Sequence, residues 1–228
     1  MSYYPVSLDL KNRFCIVIGG GKVAERKVRG LLACEAVVQV ISPRLTSGLA
    51  ELYQAGRLTW QERDYRPGDL AGAFLVIAAT DNEQVQQLTY AEAEERNILI
   101  NVADVPARCN FILPATMRQG DLTVSVSTGG KSPALAKRLR QELEKSIGPE
   151  YKIITDILGS LRGIILARGR VQAENEAVFN RLLHPDMPRW IKERDWDKVE
   201  GHIRTVLGRD IPVDDWLEKE FYVKHNLK

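Results

Sequence analysis

Histidine is missing from the sequence until His184, cysteine occurs only three times, and no apolar run approaches the ~18 residues that would cross a bilayer. Without imidazole, the chain before His184 cannot assemble a histidine metal centre or a Ser-His-Asp triad, so proton or metal chemistry there falls to carboxylates. Cys15, Cys34 and Cys109 are odd in number, far apart and without CxxC spacing, which excludes a disulfide framework and reads them as small buried apolar residues. Met1 to Leu10 lacks the basic flank, apolar stretch and small-residue cleavage site of a signal peptide, so the expectation is a cytoplasmic protein with no membrane partner. Net charge is scarce too. Lys+Arg 32 against Asp+Glu 30 leave +2, which argues against nucleic acid as a partner. That charge is uneven: residues 114–170 carry 10 basic and 5 acidic side chains, making this stretch the electropositive one.

What is present is an ordinary folding composition, 44% hydrophobic and 27% charged over 228 residues, enough for one large domain or two small ones. There is no internal repeat and no low-complexity linker. Apolar runs FCIVI (14–18), VVQVI (37–41), LTWQER (58–63), FLVIAA (74–79) and ILINV (98–102) alternate with helix-forming stretches at 23–32, 46–55 and 83–96. This alternation predicts βαβ units and a doubly wound, mostly parallel sheet. The pattern changes near Pro114. Residues 115–118 and 122–127 flank Gln119-Gly120-Asp121 as a short hairpin, and a helix follows in which Leu135, Ala136, Leu139 and Leu143 share a face. Gly148-Pro149 breaks that helix, and 151–168 and 173–183 read as further helices without strand signal.

The strongest motif is Gly19-Gly20-Gly21-Lys22-Val23-Ala24, a G-x-G-x-x-A between the first strand and first helix. In this context Gly19 allows the tight turn, Gly21 lets the backbone approach a pyrophosphate, and Ala24 allows close packing of helix on strand. The helix N-terminus adds N–H donors, to which Lys22 and Val23 belong. The acidic residue expected after the second strand is replaced by Ser42-Pro43-Arg44; Ser42 suits a ribose hydroxyl and Arg44 a 2′-phosphate or plain solvent, so spacing does not decide NAD from NADP.

Later strands end in Ala79-Thr80-Asp81-Asn82 and Asn101-Val102-Ala103-Asp104, on the edge where open α/β sheets bind ligands. Asp104 suits a general base or a metal-handling carboxylate, set against the ordinary role of a loop aspartate as a turn former. In Thr128-Gly129-Gly130-Lys131-Ser132-Pro133, Ser132 is an N-cap with proline at the first helical position, and the glycines and Lys131 favour an anionic ligand there. His184, His202, His225, Trp190, Trp196 and Trp216 read as surface and packing residues.

Taken in order, GGGKVAERK (19–27), AATDN (78–82), NVADVP (101–106), NFILPA (110–115) and STGGKSPALAKRLR (127–140) resemble the siroheme synthase family, in its precorrin-2 dehydrogenase and sirohydrochlorin ferrochelatase module. The resemblance spans about residues 1 to 165. It implies an NAD-binding Rossmann domain (1–113), a dimerisation region (114–147), a helical C-terminal domain (148–228) and a homodimer. Family enzymes oxidise precorrin-2 to sirohydrochlorin with NAD⁺, and many then insert Fe²⁺, sometimes Co²⁺, as a substrate metal. Asp104 matches the family aspartate implicated in both steps, as base or as transient metal ligand. Ser132, with Gly130 and Lys131, matches the motif near the tetrapyrrole cleft, while Gly19, Gly21, Lys22, Val23, Ala24, Ser42, Pro43, Arg44, Thr80, Asn101 and Val102 fall where the cofactor is expected. At 228 residues the expectation is a module without the methyltransferase domain of fused members. Two other readings stay open: a dehydrogenase without chelatase activity, and a module that senses NAD without turnover.

Overall fold

The computed structural model describes residues 3–169 and 171–208, so Trp216 and His225 lie outside the described residues. They divide into two compact units, one running to Leu113 with Gly129–Lys131, the other from Pro114 to Thr128 and from Ser132 onward. Of the expected 114–147 region, 114–128 and 132–147 thus cluster with the helices that follow, and 129–131 with the first unit.

The first unit is a parallel sheet of β1 (Phe14–Ile18), β2 (Val37–Ile41), β3 (Thr59–Gln61), β4 (Leu75–Ala78) and β5 (Leu99–Val102) in the order β3-β2-β1-β4-β5. Register runs Ile18↔Ile41 on one side of β1 and Ile18↔Ala78 on the other. Side chains alternate between faces, as the two-residue period requires. Cys15, Val17, Val38, Val40 and Ile77 pack with Ala24, Val28 and Leu49, from α1 (Lys22–Leu32) and α2 (Ser47–Gln54); Ile16, Ile18, Val76, Ile100 and Val102 pack with Ala93 of α3 (Glu83–Glu95). Strand order reverses at β1, so the glycine loop and the end of β4 meet at the switch point where such sheets bind ligands.

In the second unit, β6 (Ala115–Gln119) and β7 (Leu122–Val126) pair antiparallel around Gly120-Asp121, with Gly120 at φ 60°. A glycine at positive φ in the first central position suits the tight two-residue turn. Helix α4 (Pro133–Ser146) packs on this hairpin. Helices α5 (Glu150–Leu166), α6 (Gln172–Leu182), α7 (Met187–Glu193) and α8 (Trp196–Leu207) enclose a core of Ile157, Leu161, Ile165, Leu182, Met187 and Ile203. Among the described residues no helix is long and apolar enough to cross a membrane.

The cysteines differ from one another. Cys15 is fully buried, whereas Cys34 and Cys109 are half-buried, which corrects the expectation of three buried residues. Burial, and next the neighbouring Cys34, push the Cys15 thiol up to about 11. Because the thiol ionises more readily once unfolded, the unfolded chain binds fewer protons at alkaline pH and stability falls as pH rises from the ordinary thiol value toward the folded one. The Cys15 contribution reaches about 2 kcal/mol near pH 10.5. Urea midpoints are expected to fall over that range and to fall less in Cys15→Ala; equal slopes in the two proteins would reject this role. The comparison also cancels Lys27, whose lowered value acts in the opposite sense.

Candidate functional site

The site begins where β1 ends. Gly19 donates its N–H to Ile41 O (2.9 Å) and sits at φ 111°, a conformation that favours glycine. A Cβ there would strike the Ala79 carbonyl of the β4 exit. A Cβ on Gly20 would strike the Arg44 carbonyl, and Gly20 O accepts from Thr46 N (2.9 Å). Nothing lies within 4 Å of a Cβ built on Gly21, whose backbone is extended (φ −84°). Thus Gly19 and Gly20 are required by the fold, and Gly21 keeps open space at the start of α1. Gly20 went unassigned in the sequence reading because its constraint is a carbonyl from the β2 loop, invisible in the motif.

Helix α1 has no side-chain cap, whereas α2, α3 and α4 are capped by Thr46, Asn82 and Ser132. Its first N–H groups therefore face the open space at Gly21, as phosphate binding at a helix start requires. Lys22 and Val23 are exposed on that turn, and Ala24 is buried against the sheet. These residues fit a dinucleotide. Gly21→Asp is expected to weaken NAD⁺ binding by about tenfold or more, through bulk and like charge against the pyrophosphate, with unchanged circular dichroism. Normal affinity in that variant would move the cofactor elsewhere.

At the β2 exit the Ser42 hydroxyl donates to Arg44 O (2.8 Å) and accepts from Arg44 N (3.4 Å), while Ser42 O accepts from Trp60 Nε1 (2.9 Å). Ser42 is buried, so its hydroxyl braces the loop that presents Pro43 and Arg44, both exposed.

An open pocket of about 270 Å³ joins α1 to the ends of β4 and β5, lined by Val23, Thr80, Asp81, Gln86, Asp104 and Val105 among others. Thr80 is held from two sides: its hydroxyl accepts from Asn82 N (3.3 Å) and its carbonyl from Gln86 Nε2 (2.7 Å). Gln86 is a lining residue that sequence reading missed, since a glutamine one turn into a helix carries no motif.

Asp104 is exposed in this pocket at φ 61°, a left-handed backbone rare outside glycine. Its turn is tied down by Cys109, whose thiol accepts from Val102 N (3.2 Å) and lies 3.3 Å from the carbonyls of Val102 and Val105. Asn101 donates to Phe111 O (3.0 Å), so its amide anchors the following loop, and Val102 offers its N–H to sulfur. Burial holds the Cys109 thiol above its ordinary value, keeping it a neutral brace.

Ser132 starts α4 in the second unit. Ser132 Oγ accepts from Leu135 N (3.2 Å), and its own N–H donates to Thr128 Oγ1 (2.9 Å). Gly130 and Lys131 are exposed before it, with Gly130 at φ 82°. Among the described residues no group of three His, Cys, Asp or Glu side chains forms a metal centre.

The NAD(P)-binding family matches residues 6–115, and the family described as sirohaem biosynthesis protein central matches 119–146. A siroheme synthase of Mannheimia succiniciproducens is 33% identical over 92% of this chain and 44% of the relative. Siroheme synthase 3 of Aeromonas hydrophila is 39% identical over 82% of this chain and 40% of the relative. The chain thus spans less than half the length of these curated relatives. Among solved structures, SirC, a precorrin-2 dehydrogenase, superposes with a TM-score of 0.73 at 26% identity, covering 87% of this chain and all of its own.

Proposed function

We propose that the chain is a member of the siroheme synthase family and that it oxidises precorrin-2 to sirohydrochlorin with NAD⁺ as a cytoplasmic enzyme. The observation that carries this reading is Asp104: a carboxylate in a left-handed turn, without a hydrogen bond among the described residues, in the same pocket as the start of an uncapped helix. NAD⁺, when bound, supplies the hydride acceptor. The loss of two hydrogens from the macrocycle then leaves one proton, which the Asp104 carboxylate takes. Val23 and the Thr80 turn wall the pocket around the acceptor, and the first N–H groups of α1 hold the pyrophosphate.

We extend the proposal to metal insertion. Fe²⁺, or Co²⁺, is a substrate that Asp104 passes to the macrocycle nitrogens as a transient ligand. The carboxylate-rich tetrapyrrole suits the exposed Lys131 ammonium and the Gly130 and Ser132 backbone at the start of α4. A homodimer completes the reading: Leu135 and Leu139, expected on an apolar face, are 48% and 39% exposed on α4, and a second copy would cover them.

An anaerobic absorbance assay with precorrin-2 and NAD⁺, followed by Fe²⁺ or Co²⁺, tests the proposal. NADH and sirohydrochlorin followed by accelerated metal insertion are expected. Oxidation alone would remove the chelatase step. No oxidation by a folded chain that binds NAD⁺ would leave the NAD-sensing module instead.

A further inference from the structure

The loop that follows β2 is joined to the glycine loop by direct contacts. Thr46 donates its N–H to Gly20 O (2.9 Å), and a Cβ on Gly20 would strike the Arg44 carbonyl and meet Ser42 Oγ at 2.8 Å. The Arg44 backbone therefore touches the turn that opens α1. In an open sheet of this kind the pyrophosphate lies at that turn and the adenosine ribose over the end of the second strand, so this loop borders the ribose 2′ position. A carboxylate there accepts from a 2′-hydroxyl and repels a 2′-phosphate, whereas a guanidinium binds the phosphate. Residues 42–46 contain no acidic side chain. The Ser42 hydroxyl is buried and engaged at both ends by Arg44, donating to its carbonyl (2.8 Å) and accepting from its N–H (3.4 Å). The Thr46 hydroxyl donates to Glu25 Oε2 (2.7 Å) and accepts from Leu49 N (3.3 Å), and the other oxygen of Glu25 holds Arg29 (2.7 Å). The side chain left to meet a nucleotide is Arg44, which is exposed and, among the described residues, has no carboxylate at ion-pair distance. Its place against Gly20 singles it out from the other exposed cations of the unit.

We propose that Arg44 is a specificity-determining residue of the cofactor site: its guanidinium binds a 2′-phosphate, and the chain takes NADP⁺ at least as readily as NAD⁺. This rests on the dinucleotide reading above and deepens it by naming which dinucleotides the site admits. A planar guanidinium gives two parallel N–H donors to phosphate oxygens, a charge-assisted contact that a 2′-hydroxyl cannot match. Pro43 fixes its own φ, and the Ser42 hydroxyl braces the Arg44 backbone from both sides, so binding has only the arginine side chain to order. The 2′-phosphate sits on the adenosine ribose, away from the nicotinamide, so the hydride chemistry is the same with either cofactor.

Binding to the full chain tests this without turnover. NADH and NADPH are titrated by nucleotide fluorescence, and bound NADPH is displaced with 2′,5′-ADP and with 5′-AMP. NADPH is expected to bind at least as tightly as NADH, and 2′,5′-ADP to displace it at lower concentration than 5′-AMP. In Arg44→Ser the preference for NADPH over NADH, taken as the ratio of the two dissociation constants, is expected to fall about tenfold, the loss of one charge-assisted contact. Arg44→Lys is expected to restore part of that ratio, and Arg44→Asp to reverse it in favour of NADH. Wild type that binds NADH more than about threefold tighter than NADPH, or a ratio that moves by less than about threefold in Arg44→Ser, would overturn the proposal while leaving the dinucleotide site in place. A folded chain that binds neither nucleotide would overturn the dinucleotide reading, and this proposal with it.

Discussion

Asp104→Asn is expected to lower kcat for precorrin-2 oxidation by about 10²- to 10⁴-fold, the range for losing a positioned general base, while the dissociation constant for NAD⁺ stays within about twofold. Asparagine keeps the size of the side chain and tolerates the left-handed backbone at φ 61°, so the turn survives and only the proton acceptor is lost. Because no histidine precedes His184, no imidazole of the first unit can take over. Cys109, which braces the same turn, is held neutral by burial and is no substitute base. Stopped-flow absorbance gives kcat, and NADH fluorescence gives cofactor affinity. A kcat within a few-fold of wild type would take Asp104 out of the mechanism; a large loss of NAD⁺ affinity would make it a cofactor residue.

The second large effect is on stability. Glu92 of α3 is 8% exposed and accepts four hydrogen bonds: from Tyr65 OH, Gly68 N (2.8 Å), Leu70 N (3.2 Å) and Arg96 Nε (2.9 Å). Burial, and next the bond to Glu92, raise the Tyr65 phenol well above its ordinary value, so it remains a donor. Glu92→Ala leaves two backbone N–H groups and a phenol without their acceptor, an expected loss of about 3 to 5 kcal/mol. Against a typical domain stability of about 5 to 15 kcal/mol, this is a large share. Glu92→Gln keeps an acceptor oxygen and is expected to lose less. Urea midpoints of the two variants check this, and a loss under about 1 kcal/mol in Glu92→Ala would show that the 65–70 loop finds other partners.

Glu92 also shows where sequence reading stops. Its helix buries Thr89, Glu92 and Ala93, so polar residues occupy the face that apolar spacing is used to find. The strands were legible because parallel strands buried on both faces read as continuous apolar runs, and β1 and β2 coincide with FCIVI and VVQVI. Of LTWQER only Thr59–Gln61 is strand, since β3 is an edge whose outer residues have nothing to pair with. Helix α7 carried no usable signal, whereas α8, with Asp195 as its N-cap and Val199, Ile203 and Leu207 on one face, carried one that was not taken up. The first has seven residues with a proline in its opening turn, and the Arg194 that ends it adopts φ 61° without the glycine that usually marks such a stop. In the site, the place of Asp104 at a ligand-binding strand end was readable from the sequence, and it lines the pocket. Its left-handed backbone and its Cys109 tether were not, because each depends on how the chain folds around it.

The fit of Gly19 beneath the Ala79 carbonyl has a consequence for biosynthesis. The glycines emerge early, but the wall they close against belongs to β4, whose Leu75 lies beside Cys15 only after β2, β3 and their helices have been made. A nascent chain arrested before Ala79 holds the whole glycine motif and half of its cradle. Capture of the nucleotide is therefore a late event in the maturation of this unit, and NAD⁺ reports on chains that have already docked their fourth strand.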